Sequence, residues 1–225
     1  MLSTRHHSKF DGKGWPTRCP LVAILRGITP REASAHAEVL LEAGFDCIEV
    51  PTNSPQWADS VRAIASITDE RTMVGAGTVL NSGHLSALLD AGGRMAVSPH
   101  TDVGLVEDAL TRGLLTIPGA TTTSEVLAAW RAGAHVVKLF PASQLGVAYL
   151  RAIRTVLPQD MMLLAVGGVT AENLCDFIDV GCTGAGLGSE LYRPGQLPRE
   201  TAARAHAFFA ALNASTPGRS SSPSS

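Results

Sequence analysis

From Pro20 onward the chain repeats one unit: a short apolar run, a polar turn, an amphipathic stretch and a glycine. The runs are Leu21–Leu25, Cys47–Val50, Met73–Ala76, Met95–Ser98, Leu114–Ile117, Val136–Phe140, Met162–Val166 and Thr183–Leu187. They begin roughly every 20 to 26 residues, which leaves room for one helix between consecutive strands. Strands that alternate with helices pair in parallel. Eight such units over about 195 residues predict an α/β protein, a single-domain (β/α)8 TIM barrel at the short end of its size range. A doubly wound open sheet accommodates the same eight runs and remains the structural alternative.

Helix boundaries fit this reading. Thr29-Pro30-Arg31-Glu32 combines an N-cap threonine, a proline at the first helical position and a glutamate placed for a capping box. Ala33, Ala37, Leu40 and Leu41 follow as an apolar stripe, and Gly44 ends it. His36 on this helix is expected to face solvent. Ser54-Pro55 is expected to open the second helix in the same way. Thr122 with Glu125 forms a second capping box, Thr170 begins the seventh helix and Gly181 ends it, and the last helix spans roughly 199–212. These are signals of fold and carry no function.

Composition excludes several classes. Apolar residues make up 45% and charged residues 17%, which suits a soluble domain with a large core. A net charge of −2 gives no basic footprint for nucleic acid. No apolar run approaches the ~18 residues of a membrane helix. Residues 1–18 read as a flexible polar leader without the apolar segment of a secretory signal. Residues 19–213 form the domain, and 214–225, rich in Ser and Pro, read as a disordered tail. Cys19, Cys47, Cys175 and Cys182 stand too far apart for a zinc or redox motif, and are expected as reduced thiols in a cytoplasmic protein. The histidines are dispersed, so no metal site and no cofactor are expected.

The carboxyl ends of barrel strands form the active face. Polar residues and glycines collect at those positions: Arg26-Gly27, Glu49 with Pro51-Thr52-Asn53, Gly75-Ala76-Gly77-Thr78, Ser98-Pro99-His100, Lys138, Gly167-Gly168 and Gly188-Ser189. The chain has three lysines; Lys9 and Lys13 lie in the leader, so Lys138 is alone in the domain, between Val137 and Leu139. Taken by itself, such a lysine reads best as one that snorkels to water or pairs with a carboxylate. The company it keeps at the strand ends moves the balance towards a neutral amine that attacks carbonyls. Glu49, in an apolar run, is either a proton shuttle or the partner of a buried cation such as Lys138. The glycine turns after the last two runs, with Gly168, Gly188 and Ser189, suit a phosphate held by backbone N–H groups, although Gly-Gly is also an ordinary turn. Arg26 suits a carboxylate or phosphate through its planar fork, or is a surface arginine.

With these residues in hand, the chain resembles the class I 2-keto-3-deoxy-phosphosugar aldolases from about Pro20 to Leu212. The resemblance lies in Ala23-Ile24-Leu25-Arg26-Gly27, Ile48-Glu49-Val50-Pro51, Asn53-Ser54-Pro55-Gln56-Trp57, Gly75-Ala76-Gly77-Thr78-Val79-Leu80, Lys138-Leu139-Phe140-Pro141, Ala165-Val166-Gly167-Gly168-Val169 and Gly186-Leu187-Gly188-Ser189. The gluconate type of this family usually carries Leu-Arg-Thr after the strand-two glutamate and Pro-Thr-Gly-Gly at strand seven. This chain has Thr52-Asn53-Ser54 and Ala165-Val166-Gly167-Gly168 there, and looks like the galactonate type. The resemblance implies a metal-free, commonly homotrimeric barrel. It also implies cleavage of a six-carbon phosphosugar keto acid to pyruvate and D-glyceraldehyde 3-phosphate, in galactonate breakdown. Lys138 would form the Schiff base and Glu49 would move protons. Arg26 and Thr78 would position substrate, and Gly168, Gly188 and Ser189 would hold phosphate. The gluconate and 4-hydroxy-2-oxoglutarate activities of the family, a phosphosugar epimerase on the same barrel, and a non-catalytic sugar-phosphate sensor remain alternatives.

Overall fold

A computed structural model describes residues 15–214. The flexible leader and the disordered tail expected from the sequence lie largely outside these residues. Residues 15–18 are placed: Trp15 Nε1 donates to the Cys19 carbonyl at 2.7 Å, and the N–H groups of Arg18 and Cys19 donate to the buried Asp46 carboxylate.

The strands are β1 (Leu21–Ile24), β2 (Cys47–Pro51), β3 (Met73–Gly77), β4 (Met95–Val97), β5 (Leu115–Ile117), β6 (Gly119–Ala120), β7 (Val137–Leu139), β8 (Leu163–Val166) and β9 (Gly184–Leu187). The helices are α1 (Pro30–Ala43), α2 (Trp57–Ile67), α3 (Ser82–Asp90), α4 (Val103–Thr111), α5 (Thr123–Arg131), α6 (Ala142–Arg154), α7 (Leu174–Asp179) and α8 (Pro198–Ala214). Every strand pair is parallel, in the order β5-β4-β3-β2-β1-β9-β8-β7-β6. The two ends of this order, β5 and β6, are joined through Pro118 alone, so the chain itself closes the ring. The fifth barrel strand thus continues past the fifth apolar run and is cut in two at Pro118, because proline has no N–H to give the ladder. The seam still holds: Lys138 N–H donates to the Pro118 carbonyl at 2.8 Å. The eight runs are therefore nine strand segments of one (β/α)8 barrel, and the open doubly wound sheet is excluded.

Strand side chains alternate between two cores. Leu21, Ala23, Ile48, Val50, Val137, Leu139, Leu163 and Ala165 face outward against the helices. Val22, Ile24, Cys47, Met95, Val97, Leu115, Ile117, Val136, Leu164 and Val166 fill the bore. Burial on both faces explains why the runs read as continuously apolar. Each buried leucine or isoleucine contributes about 1.5–3 kcal/mol. Trp15, Met73 and Met162 pack under the bore at its amino-terminal mouth.

Both expected capping boxes form, Thr29 with Glu32 and Thr122 with Glu125, and Gly44 ends α1 at φ 108°. Three expectations are corrected. Helix α7 starts at Leu174, four residues after Thr170, whose carbonyl accepts from Leu174 N–H at 3.0 Å. His36 is buried, with Nδ1 2.8 Å from Thr201 Oγ1 on α8. Ser54 does not open α2, which starts at Trp57 after a left-handed Gln56; its buried hydroxyl accepts from Gly27 N–H at 2.9 Å and ties the first two strand ends together. Among the described residues the four cysteines are free thiols, and no helix is long and apolar enough to cross a membrane.

Candidate active site

Lys138 sits on β7 in the inward register, level with Gly119 and Leu164. It is 7% exposed. Burial pushes its pKa below the usual lysine value; Glu49 acts in the opposite direction and Arg26 reinforces the drop. Its Nζ lies 5.3 Å from the centre of the Phe140 ring. Phe140 follows Lys138 by two residues and so shares its side of the strand line.

Glu49 occupies the corresponding inward position on β2, level with Ile24 and Gly75. It is 3% exposed. Burial raises its pKa, against the pull of Lys138 and Arg26. Its carboxylate lies directly over Gly77: a methyl group there would come 2.2 Å from Oε1. No ion pair within 4 Å joins Glu49 to Lys138; the ion pairs of the described residues lie elsewhere. The two groups influence each other's charge across a separation of more than 4 Å.

Thr78 closes β3 with φ 55°, a left-handed conformation that a β-branched residue adopts at a cost of about 1–3 kcal/mol and that clusters at functional sites. The segment is held by Thr52, whose hydroxyl donates to the Thr78 carbonyl at 2.6 Å and whose N–H donates to the Gly77 carbonyl at 2.8 Å. Arg26 is exposed at the end of β1 and donates through Nη1 to Asn53 Oδ1 at 2.9 Å.

A cavity of about 320 Å³ opens at the same mouth, lined by Arg26, Phe140, Val166, Gly168, Gly188 and Ser189 among others. That volume suits a small metabolite. Gly167 and Gly168 have φ of 94° and 71°, and a methyl group on Gly168 would strike Ser143 Oγ at 2.1 Å. Gly188 differs: a methyl there would meet nothing within 4 Å. The Gly188 carbonyl accepts from Leu191 and Tyr192 N–H at 2.9 Å, making one helical turn. The N–H groups of Gly168, Gly188, Ser189 and Glu190 donate to no acceptor among the described residues. Donors left open on glycine turns at a helical start suit an anion.

The structure thus gathers Arg26, Gly168, Gly188 and Ser189 on one cavity, with Lys138 and Glu49 buried in the bore and Thr78 following the Gly77 that Glu49 lies over. Lys138, Glu49 and Thr78 do not line that cavity; Phe140 bridges the two zones. Sequence reasoning missed Phe140, Asn53, Tyr192 and Arg193. Phe140 was readable from its two-residue offset to Lys138. Asn53 stands 27 residues from Arg26, and only the adjacency of β1 and β2 brings them together. No group of three or more His, Cys, Asp or Glu among the described residues could hold a metal ion.

A buried amine across from a carboxylate, at the carboxyl mouth of a parallel barrel, gives the equipment of an imine-forming barrel enzyme. Comparison with known proteins points the same way. Residues 16–207 match the family model described as KDPG and KHG aldolase. The 2-dehydro-3-deoxy-6-phosphogalactonate aldolase of Escherichia coli (strain K12) is 47% identical over 88% of this chain and 96% of its own. A solved structure described as native KDPGal superposes with a TM-score of 0.87 at 46% identity, covering 89% of this chain and 98% of that one. A protein cage designed by fusing symmetric oligomeric domains also matches, with a TM-score of 0.86 and 46% identity over 88% of this chain and 74% of the cage chain. The chain belongs to the KDPG and KHG aldolase family of carbon–carbon lyases.

Proposed function

We propose that this protein cleaves 2-dehydro-3-deoxy-6-phosphogalactonate to pyruvate and D-glyceraldehyde 3-phosphate through a Schiff base on Lys138. The observation that carries the reading is the buried Lys138, its pKa lowered by burial, set across the bore from Glu49 without an ion pair. The named activity of the 47% identical relative supports the substrate. The neutral Lys138 amine adds to the C2 ketone, and loss of water gives a protonated imine. Glu49 takes the C4 hydroxyl proton; the C3–C4 bond breaks, C4 becomes the aldehyde carbon and the electron pair flows into the imine. The resulting enamine regains a proton at C3 from Glu49, and hydrolysis frees pyruvate and Lys138. Arg26, steadied by Asn53, and Thr78 position the substrate. The open N–H groups of Gly168, Gly188 and Ser189 hold its phosphate.

The galactonate over the gluconate epimer is supported by Val166, which lines the cavity and brings no hydrogen-bonding group. Galactonate breakdown in the cytoplasm and a homotrimeric assembly complete the reading. The kinship with a symmetric oligomeric cage component supports an oligomer, and a solution mass of three chains is the expected result. The deciding experiment is borohydride reduction in the presence of pyruvate, followed by mass spectrometry. A reduced pyruvyl adduct on Lys138 is expected. Cleavage without an adduct would sink the imine mechanism; turnover of a phosphosugar with neither cleavage nor adduct would leave the epimerase chemistry, and a protein inert in turnover and in trapping would leave the sensor.

A further inference from the structure

The connection from β9 to α8 carries the cavity's last turn, and its shape is set from outside the bore. Gln196 clamps it. The Gln196 amide nitrogen donates to the Leu191 carbonyl at 2.9 Å, and its Oε1 accepts from Arg193 N–H at 3.1 Å. Its other amide proton goes to Thr201 Oγ1 on α8 at 2.6 Å. Thr201 is fully buried, and the same oxygen meets His36 Nδ1 on α1 at 2.8 Å. Thr201 Oγ1 therefore joins the Gln196 amide and the His36 ring through one oxygen, which has one proton to give and two lone pairs to accept with. A second contact reaches the same connection: the His36 ring packs edge-on against Tyr192, with centroids 4.9 Å apart and planes at 80°. Tyr192 and Arg193 both line the cavity.

Packing alone gives no reason for this chemistry. The buried stripe of α1 is otherwise Ala33, Ala37 and Leu40, and a polar ring in such a place costs desolvation unless its hydrogen bonds are met. Here Nδ1 is met by a hydroxyl whose other partner is the clamp on the turn.

We propose that His36 and Thr201 are positioning residues for the phosphate end of the site. By fixing Gln196 they hold the Gly188–Arg193 turn in the shape that offers its N–H groups to the cavity. This rests on the reading of that turn as the phosphate site.

The test compares wild type with Thr201→Val, Thr201→Ser and His36→Phe. The substrates are 2-dehydro-3-deoxy-6-phosphogalactonate and its dephosphorylated analogue, and pyruvate trapping by borohydride serves as a phosphate-independent readout. Thr201→Val is expected to raise KM for the phosphorylated substrate about tenfold, with kcat, the analogue and the trapping rate within about twofold of wild type. His36→Phe is expected to follow it, and Thr201→Ser to keep wild-type behaviour. If Thr201→Val loses activity equally on both substrates and in trapping, or keeps the wild-type preference for the phosphate ester, the positioning role is overturned. A Thr201→Ser enzyme as impaired as Thr201→Val also overturns it, since the hydroxyl would then be irrelevant. A wild type indifferent to the phosphate sinks the phosphate reading itself, and this proposal with it.

Discussion

The bore around Lys138 and Glu49 and the turns after β8 and β9 solve opposite problems. In the bore, side chains on β2 and β7 carry the groups to which the proposed mechanism assigns the chemistry; both are almost wholly buried, and burial moves their two pKa values towards each other. At the turns the groups proposed to bind are backbone N–H donors, glycines keep the approach clear, and the cavity opens to solvent. Ladder hydrogen bonds place the bore groups, whereas the Gly188 turn is placed by side chains, Gln196 further along the same connection and Arg204 on α8 among them. A reacting pair needs fixed positions and a dry setting; an anion cradle needs donors and room. Perturbing one region should therefore change chemistry, and perturbing the other should change binding.

The largest effect tests the bore. Lys138→Arg keeps a cation but cannot form this imine near neutral pH. Cleavage is expected to fall to background with the fold intact by circular dichroism, and near-normal turnover would end the Schiff-base reading. Next comes Gly77→Ala. The added methyl would stand 2.2 Å from Glu49 Oε1, so the carboxylate must move; kcat is expected to drop about a hundredfold, in line with a misplaced catalytic group. Unchanged kcat would separate Glu49 from the proton transfers.

Smaller effects sharpen the other side. Gly188→Val puts its branch into open space, so folding should survive while the cavity shrinks. We expect kcat/KM for the phosphorylated substrate to fall about tenfold or more, with much less change for the dephosphorylated analogue, because the lost interactions are those of binding. Equal losses on both would make the turn a piece of fold. Val166→Thr adds a hydroxyl in the cavity wall; a hydrogen bond gained by one epimer is worth about 1–3 kcal/mol, so the kcat/KM ratio should shift roughly tenfold towards the gluco epimer. Coupled pyruvate-release assays on both epimers measure this, and an unmoved ratio would clear Val166 of the role. The subtlest is a pH effect. Glu49 raises the Lys138 pKa, whereas burial and Arg26 lower it. Glu49→Gln removes the only one of these three influences that favours the ammonium. The midpoint of pyruvate trapping against pH should then move down, and an upward shift would contradict the coupling.

Much of this was legible because the barrel forces a simple code on the chain. Two-sided burial makes each strand a short apolar run, so a charge inside one, Lys138 or Glu49, stands out. The division of the fifth strand was not legible as such, since Leu114–Ile117 looks complete and Pro118 looks like its end. His36 shows how residue identity misleads. It stands three residues after Ala33 and four before Leu40, which by helical geometry is the buried face; its polarity suggested solvent. Its partner Thr201 lies 165 residues away, and no local pattern announces such a pair. Ser54 failed as a cap for a related reason, because its hydroxyl serves Gly27 across a strand boundary.

Ten buried apolar side chains fill the bore, and Trp15, Met73 and Met162 pack against them from the amino-terminal side. With the bore filled beneath it, the site is reached from the cavity at the carboxyl mouth. On the proposed mechanism the pyruvyl fragment stays covalently attached at the bottom after carbon–carbon cleavage, while the aldehyde phosphate lies above it, nearer the rim. Departure must then run in a fixed sequence, aldehyde first and pyruvate last. The reverse, synthetic direction must load in the mirrored order: pyruvate primes the lysine before any aldehyde can be used.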